Sequence, residues 1–223
     1  MAQNLTPRLK AAASLVRGGG ILADIGTDHG YLPIYLIESG KISKAIAADI
    51  GKMPLENARK SVEQNALSDK ISLRLSDGLR GFSPDDADEF VFAGMGGTLI
   101  TEKLAETDWI KNEKYHFVFQ PQSRAEELRQ FLFENGFQIE EEIATNEGRR
   151  VYIAFSAFYN GEKTECSYAD CFLGKLSPTE DAKNHIKKQI IRLSDRYSSA
   201  SLSEAESKTL FETIEKLKEF TND

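Results

Sequence analysis

The chain has 223 residues, 40% hydrophobic and 28% charged, enough for a continuous core in one domain of ordinary size plus an appendage. Its net charge of −7 argues against coating nucleic acid by bulk electrostatics and leaves only local basic patches for that purpose. The two cysteines, Cys166 and Cys171, support neither a disulfide framework nor a zinc site, and no apolar run approaches the ~18 residues of a membrane span, so a cytoplasmic protein without metal or membrane partner is expected.

Thr6-Pro7 predicts a helix start, with Thr as cap and Pro at a first turn that has no amide to leave unpaired. Leu9, Ala12, Ala13 and Val16 share one face of that helix. Short apolar runs over 21–25, 45–50, 71–75, 90–93 and 117–119 read as buried parallel strands. Segments 53–65, 98–109 and 124–135 read as crossover helices, the last closed by Gly136. Runs 138–144 and 151–158 have no helix between them and pair antiparallel. Alternating βα units closed by such a hairpin describe the class I, Rossmann-like methyltransferase fold, an α/β architecture with a seven-stranded, mostly parallel sheet; a dinucleotide fold would continue with helical crossovers. Beyond residue 160 a polar linker leads to heptad-like spacing, Ile186, Ile190, Leu193 and Tyr197, then Leu210, Ile214 and Leu217. Two helices are expected there, turned back on each other at 198–203. The division expected is therefore 1–160 for the methyltransferase domain and 161–223 for a coiled-coil-like, antiparallel helical hairpin.

The chemistry concentrates at strand ends, where ligands of open α/β sheets bind. The string Asp24-Ile25-Gly26-Thr27-Asp28-His29-Gly30-Tyr31-Leu32-Pro33 follows the first strand. A pyrophosphate loop follows the pattern G-x-G-x-x-G, and here Asp28 stands in the place of its second glycine. Facing a phosphate, that carboxylate is repulsive by roughly 4 kcal/mol for unit charges about 4 Å apart at an effective dielectric near 20. It suits a ligand with a sulfonium and an ammonium, so S-adenosylmethionine is the expected cofactor and NAD is not. Asp49, closing the second strand, is placed to accept the ribose hydroxyls. Asp77-Gly78, after the third, offers an acceptor for the adenine amine. Gly94-Met95-Gly96-Gly97, after the fourth, lets backbone approach cofactor or substrate. His29 reads as a hydrogen-bonding loop residue. Asp24, Gly26, Asp28, His29, Gly30, Asp49, Asp77, Gly78, Gly94 and Met95 are thus the candidate cofactor residues.

These residues resemble the bacterial tRNA methyltransferases that modify N1 of adenine 22 (TrmK-like). The resemblance rests on Leu5-Thr6-Pro7-Arg8-Leu9, the string from Asp24 to Pro33, Pro54 with Ala58, Asp77-Gly78-Leu79, Gly94-Met95-Gly96-Gly97 and Gln120-Pro121-Gln122, and it takes in the C-terminal helices. Met53 departs from it, since the family commonly has Gly before that proline. It implies tRNA as substrate, attack by the N1 lone pair of a neutral adenine, and Asp28 as the catalytic carboxylate that stabilises charge arriving on the base. The base must be unpaired or turned out first. Lys183, Lys187, Lys188, Arg192 and Arg196 fall at largely helical spacing against one acid, Asp195, and form a candidate phosphate-tracking stripe. Arg149 and Arg150, on a hairpin turn expected at the carboxyl edge, are candidates for bidentate phosphate contacts. Arg8, Arg149, Arg150, Lys188 and Arg192 are the expected substrate-binding residues of a monomer. A small-molecule methyltransferase and a non-catalytic RNA-binding module remain as other readings.

Overall fold

The structure is a computed structural model and describes residues 4–199 and 201–222. A seven-stranded sheet runs in the order β3-β2-β1-β4-β5-β7-β6. Its strands are β1 (Ile21–Ile25), β2 (Lys44–Asp49), β3 (Ile71–Leu75), β4 (Glu89–Ala93), β5 (His116–Gln120), β6 (Phe137–Glu147) and β7 (Arg150–Tyr159). The first five are mutually parallel, β7 lies antiparallel against β5, and β6 antiparallel against β7. Strand order reverses between β1 and β4, which puts the switch-point crevice outside their carboxyl ends.

The central strands are buried on both faces because helices cover each side, and they carry apolar side chains on both. Phe90, Phe92, Phe117 and Phe119 stack on one face, with adjacent-strand centroids 5.6 Å apart, while Val91 and Val118 face the other. The aromatic face is covered by α4 (Gly97–Ala105) and α5 (Ala125–Glu134), the other by α1 (Pro7–Leu15), α2 (Tyr31–Glu38) and α3 (Lys52–Gln64). The fourth helix ends earlier than expected. Trp109 belongs instead to a short 3₁₀ turn, Asp108–Ile110, and packs on Phe90 and Tyr115 with centroids 5.6 and 5.2 Å away.

Thr6 occupies the cap position of α1 but its side chain makes no capping bond. The Arg8 amide in that first turn is satisfied from elsewhere, by the Glu147 carboxylate at the end of β6, at 3.1 Å. A capping acid supplied by the hairpin ties the N-terminal helix to the far edge of the sheet.

The C-terminal region holds three helices rather than two: α6 (Tyr168–Leu173), α7 (Glu180–Ser199) and α8 (Glu204–Thr221). Reciprocal capping boxes start α6 (Ser167 with Asp170) and α8 (Ser203 with Glu206), each satisfying two amides. Of the expected heptad positions, Ile186, Leu193, Leu210, Ile214 and Leu217 are buried, while Tyr197 is 43% exposed. The turn between α7 and α8 is shorter than the 198–203 expected, since α7 runs to Ser199, and Ala200 within it lies outside the described residues. These helices share one apolar cluster with the aromatic face of the sheet. Among the described residues no helix is long and apolar enough to cross a membrane.

A buried ion pair fastens the two regions. The β6–β7 ladder shifts register between Ile139 and Glu142, and at that irregularity the fully buried Glu142 side chain meets Arg129 of α5. Arg129 Nη1 also donates to the Cys171 and Phe172 carbonyls at the end of α6, at 2.7 and 3.2 Å. The Lys175 amide donates to Glu142 Oε2 at 2.8 Å. Every charged oxygen and nitrogen cluster here has partners, so removing one member strands the other in a dry environment. Glu142→Ala is expected to lower unfolding free energy by about 3–5 kcal/mol, read from the urea midpoint. A loss below about 1 kcal/mol would show that the pair does not fasten the helices.

Candidate functional site

The loop between β1 and α2 builds the crevice. Gly26, at φ +82°, lets the chain turn so that its own amide and that of Thr27 both donate to the Ala48 carbonyl of β2, at 2.8 and 2.9 Å. Its positive φ is what favours glycine there, and the Met95 thioether packs close against it, 2.9 Å from where a Cβ would stand. That second loop is zipped to the one after β5: Gly94 N donates to Gln120 O, Gln122 N to Met95 O, and Gly97 N to Ser123 O, at 3.1, 2.8 and 2.7 Å. A Cβ at Gly97 would stand 2.2 Å from Arg124 O. This glycine therefore serves loop packing rather than close approach to a ligand.

Between the loops lies a cavity of about 590 Å³, within the range of small-ligand sites. Asp24, Gly26, Asp28, His29, Gly30 and Gly94 line it, together with Arg8 and Arg150. Asp49, Asp77, Gly78 and Met95 lie outside its lining. Asp49 instead closes a tight turn, its Oδ1 accepting from Gly51 N at 2.6 Å. Asp77 is held by Lys103 Nζ at 2.7 Å and by Arg80 at 3.6 Å, and the lysine hydrogen bond keeps its carboxyl below the ordinary range. Gly78, at φ +60°, is required by the stem of that same lysine, whose Cδ would lie 2.7 Å from a Cβ there.

The electrostatics of the crevice are those of crowded carboxylates. Asp24 is 5% exposed. Burial pushes its carboxyl up to about 6 and the charge of Asp49 adds to the rise. The nearby Thr27 hydroxyl pulls the other way, although Thr27 Oγ1, itself buried, makes no hydrogen bond of normal geometry. Asp49 is raised by desolvation and by Asp28, against the pull of the Gly51 amide. Asp28 is well exposed and faces His29 Nε2 at 3.3 Å, while the His29 ring stacks on Tyr31 with centroids 4.9 Å apart.

Arg8 crosses the mouth: Nε lies 3.5 Å from Glu147, Nη1 donates to Gln120 Oε1 at 3.5 Å, and the guanidinium sits over Tyr152. Arg149 lies in the turn between β6 and β7 and Arg150 opens β7. Neither arginine side chain has a hydrogen bond or ion pair among the described residues. The helical stripe is less free than its spacing suggests. Lys183 is buried, Arg192 pairs with Glu126 at 2.5 Å, and Lys188 Nζ donates to the Arg149 carbonyl at 3.2 Å. Three exposed apolar side chains gather at the carboxyl ends of β2 and β3, Ile50, Met53 and Leu75; from sequence only Met53 was singled out, and then as a departure from the family pattern. The signal was an isoleucine directly after the strand-ending acid. Tyr152, Gln122 and Glu147 also line the cavity unforeseen.

A reversed-hairpin sheet of this order, with acids around its switch point and no phosphate loop, defines a class I methyltransferase domain. The family model described as "Methyltransferase domain" matches residues 5–155. The tRNA (adenine(22)-N(1))-methyltransferase of Bacillus subtilis (strain 168) is 34% identical over 148 residues, 66% of this chain and 62% of that protein. The chain spans less than two thirds of the length of the curated relatives it matches. A Streptococcus pneumoniae structure, provisionally named a tRNA (m1A22) methyltransferase, superposes with TM-score 0.85 at 31% identity, covering 98% of this chain and 100% of that one. A second structure of that protein, in complex with S-adenosyl-L-methionine, gives TM-score 0.83 at 32% identity over 96% and 98% of the two chains. The chain belongs to the TrmK-like family of bacterial tRNA (adenine-22-N1)-methyltransferases.

The raised Asp24 carboxyl has a consequence for stability. With a folded value near 6 against an ordinary 3.8, its charge opposes folding fully above about pH 6 and hardly at all below about pH 4. Asp24→Asn is expected to stabilise the free protein by about 3 kcal/mol at most at pH 8, with the gain largely gone at pH 4. Equal urea midpoints for variant and wild type at pH 8 would contradict this.

Proposed function

We propose that this protein is an S-adenosylmethionine-dependent enzyme that methylates N1 of an adenine in tRNA, at position 22 by its kinship. The observation that carries the reading is the crowding of Asp24, Asp28 and Asp49 at the carboxyl ends of β1 and β2, where burial first and a neighbouring carboxylate second raise Asp24 and Asp49. A cationic ligand relieves that repulsion, whereas a pyrophosphate aggravates it. The named function of the Bacillus subtilis relative and the cofactor complex of the Streptococcus pneumoniae structure support the same assignment.

The residues present fit such a cofactor. Thr27 Oγ1 is buried without a partner, and Asp24 beside it serves the ammonium end. Asp49 faces the ribose hydroxyls, and Ile50, Met53 and Leu75 give the purine an apolar seat with the Asp77-Gly78 backbone at its edge. Gly26, Gly30, Gly94 and Met95 shape the loops around the reacting end, with His29 holding Asp28 in place. When bound, the cofactor supplies an electrophilic methyl group, which passes to a nitrogen lone pair as its carbon–sulfur bond breaks.

Neutral adenine carries a free lone pair at N1, so the protein need not remove a proton before transfer. Its task is to hold the base and to stabilise positive charge as it reaches the ring. Asp28 lines the cavity and is exposed, and so takes that role by position. N1 lies on the pairing edge, so the base enters unpaired. Arg8, Arg149, Arg150, Lys188 and Arg192 hold tRNA phosphates at the mouth, with 161–223 as the RNA-docking appendage of a 1–160 catalytic domain. The reading places a monomer in the cytoplasm, where tRNA is.

Unmodified tRNA incubated with protein and methyl-labelled cofactor is expected to yield 1-methyladenosine on nucleoside mass spectrometry. Asp28→Asn should lower the single-turnover rate by about 10²-fold or more while changing tRNA affinity far less. A labelled nucleoside other than 1-methyladenosine, or an unchanged rate in the variant, would overturn the assignment or the role of Asp28 respectively.

A further inference from the structure

A second cavity, of about 410 Å³, opens beside the first and shares Gln122, Arg150 and Tyr152 with it. Its other walls come from elements that the fold brings together late: the start of α5, the beginning of β7 and the exposed side of α7. Val151, Ile153 and Phe172 give it an apolar floor, and Arg124, Arg150, Lys188 and Arg192 give it a cationic rim. In a chain with 35 acidic and 28 basic residues that concentration of positive charge is local and specific.

The acids within reach are already engaged. Glu126 is taken by Arg192 at 2.5 Å and approached by Arg124 at 3.9 Å, and Glu142 by the buried Arg129. Arg150, standing on the wall between the two cavities, has no ion pair among the described residues. Deeper in, the Gln189 amide nitrogen lies 3.5 Å from His185 Nε2, and Gln189 Oε1 is buried with no hydrogen-bond partner. Burial first, then the charges of Arg129, Lys188 and Arg192, push His185 down to about 4, so at neutral pH the imidazole beside Gln189 is uncharged while the rim is positive. An apolar floor, an unsatisfied amide acceptor and a cationic rim together match one nucleotide: the base inside, its N–H on the amide, and its phosphate on the arginine and lysine.

We propose that this second cavity is a nucleotide subsite that holds the tRNA residue next to the methylated adenine, with Arg150 on the phosphate between them and Gln189 on the edge of the neighbouring base. The inference rests on the functional reading above. A splayed pair of nucleotides, one in each cavity, holds the stack open at that step. Unstacking a base costs free energy, and a second bound nucleotide offsets part of that cost.

The test uses Lys188→Ala with Gln189→Leu, which leaves every residue lining the first cavity in place. The KM for tRNA should rise about tenfold or more, with cofactor affinity within twofold of wild type. In parallel, wild-type protein is irradiated with tRNA carrying 4-thiouridine on either side of the target adenine, and the crosslinks should map to peptides within 150–153 or 185–192. An active wild type whose KM is unmoved by the double variant overturns the subsite together with the phosphate role given to Lys188 above, and crosslinks confined to other peptides overturn the subsite alone. If the double variant also loses cofactor affinity, the crosslink position decides. A wild type that transfers no methyl to tRNA sinks the functional reading and this inference with it.

Discussion

Because β7 runs antiparallel between β5 and β6, β6 runs parallel to the first five strands and the turn after Glu147 emerges at the carboxyl edge of the sheet. Much follows from that reversal. It delivers Glu147 to the first turn of α1, Arg150 to the wall between the two cavities, and Tyr152 to both. It also presents Glu142 to Arg129, through which the end of α6 is held. The Asn146 amide bonds Asp181 at 3.1 Å, and Lys188 bonds the Arg149 carbonyl at 3.2 Å, so α7 is docked on the same turn. Cofactor loops, hairpin tip and C-terminal helices are thus parts of one packed edge.

At that edge stability and function pull against each other. Asp24 sits in a place where an apolar or neutral side chain would cost less, and its neighbour Asp49 makes matters worse. Such strain between carboxylates is retained where a ligand supplies the missing positive charge. Elsewhere the protein neutralises its acids: Asp86 takes both terminal nitrogens of Arg74, and Asp77 takes Lys103. The contrast between paired acids and crowded ones is what the proposed cofactor reading rests on, more than their position along the strands.

The strands were legible because parallel strands buried on both faces leave continuous apolar runs, and the hairpin because two such runs met without a helix. The acids at strand ends were legible as positions, but not their fates. The partner of Asp77 is Lys103, on the helix that follows the next strand, and no local pattern announces it. The cap of α1 comes from Glu147, 139 residues away, a pairing that only the folded hairpin creates. The sixth helix is too short for a periodic signal, although Ser167 with Asp170 three residues on was a readable start. Lys183 was read as part of a phosphate-tracking stripe, yet its spacing of three from Ile186 places it on the apolar face, where it is buried.

The central claim is that crowded carboxylates select a cationic cofactor, and calorimetry tests it most directly. S-adenosylmethionine should bind at pH 7.5 and release protons on binding near pH 6, since a cation favours the ionised form of Asp24. Affinity should fall as pH drops below about 6, and NAD should give no measurable heat. Comparable binding of NAD, or a cofactor affinity flat from pH 8 to pH 5, would contradict the account.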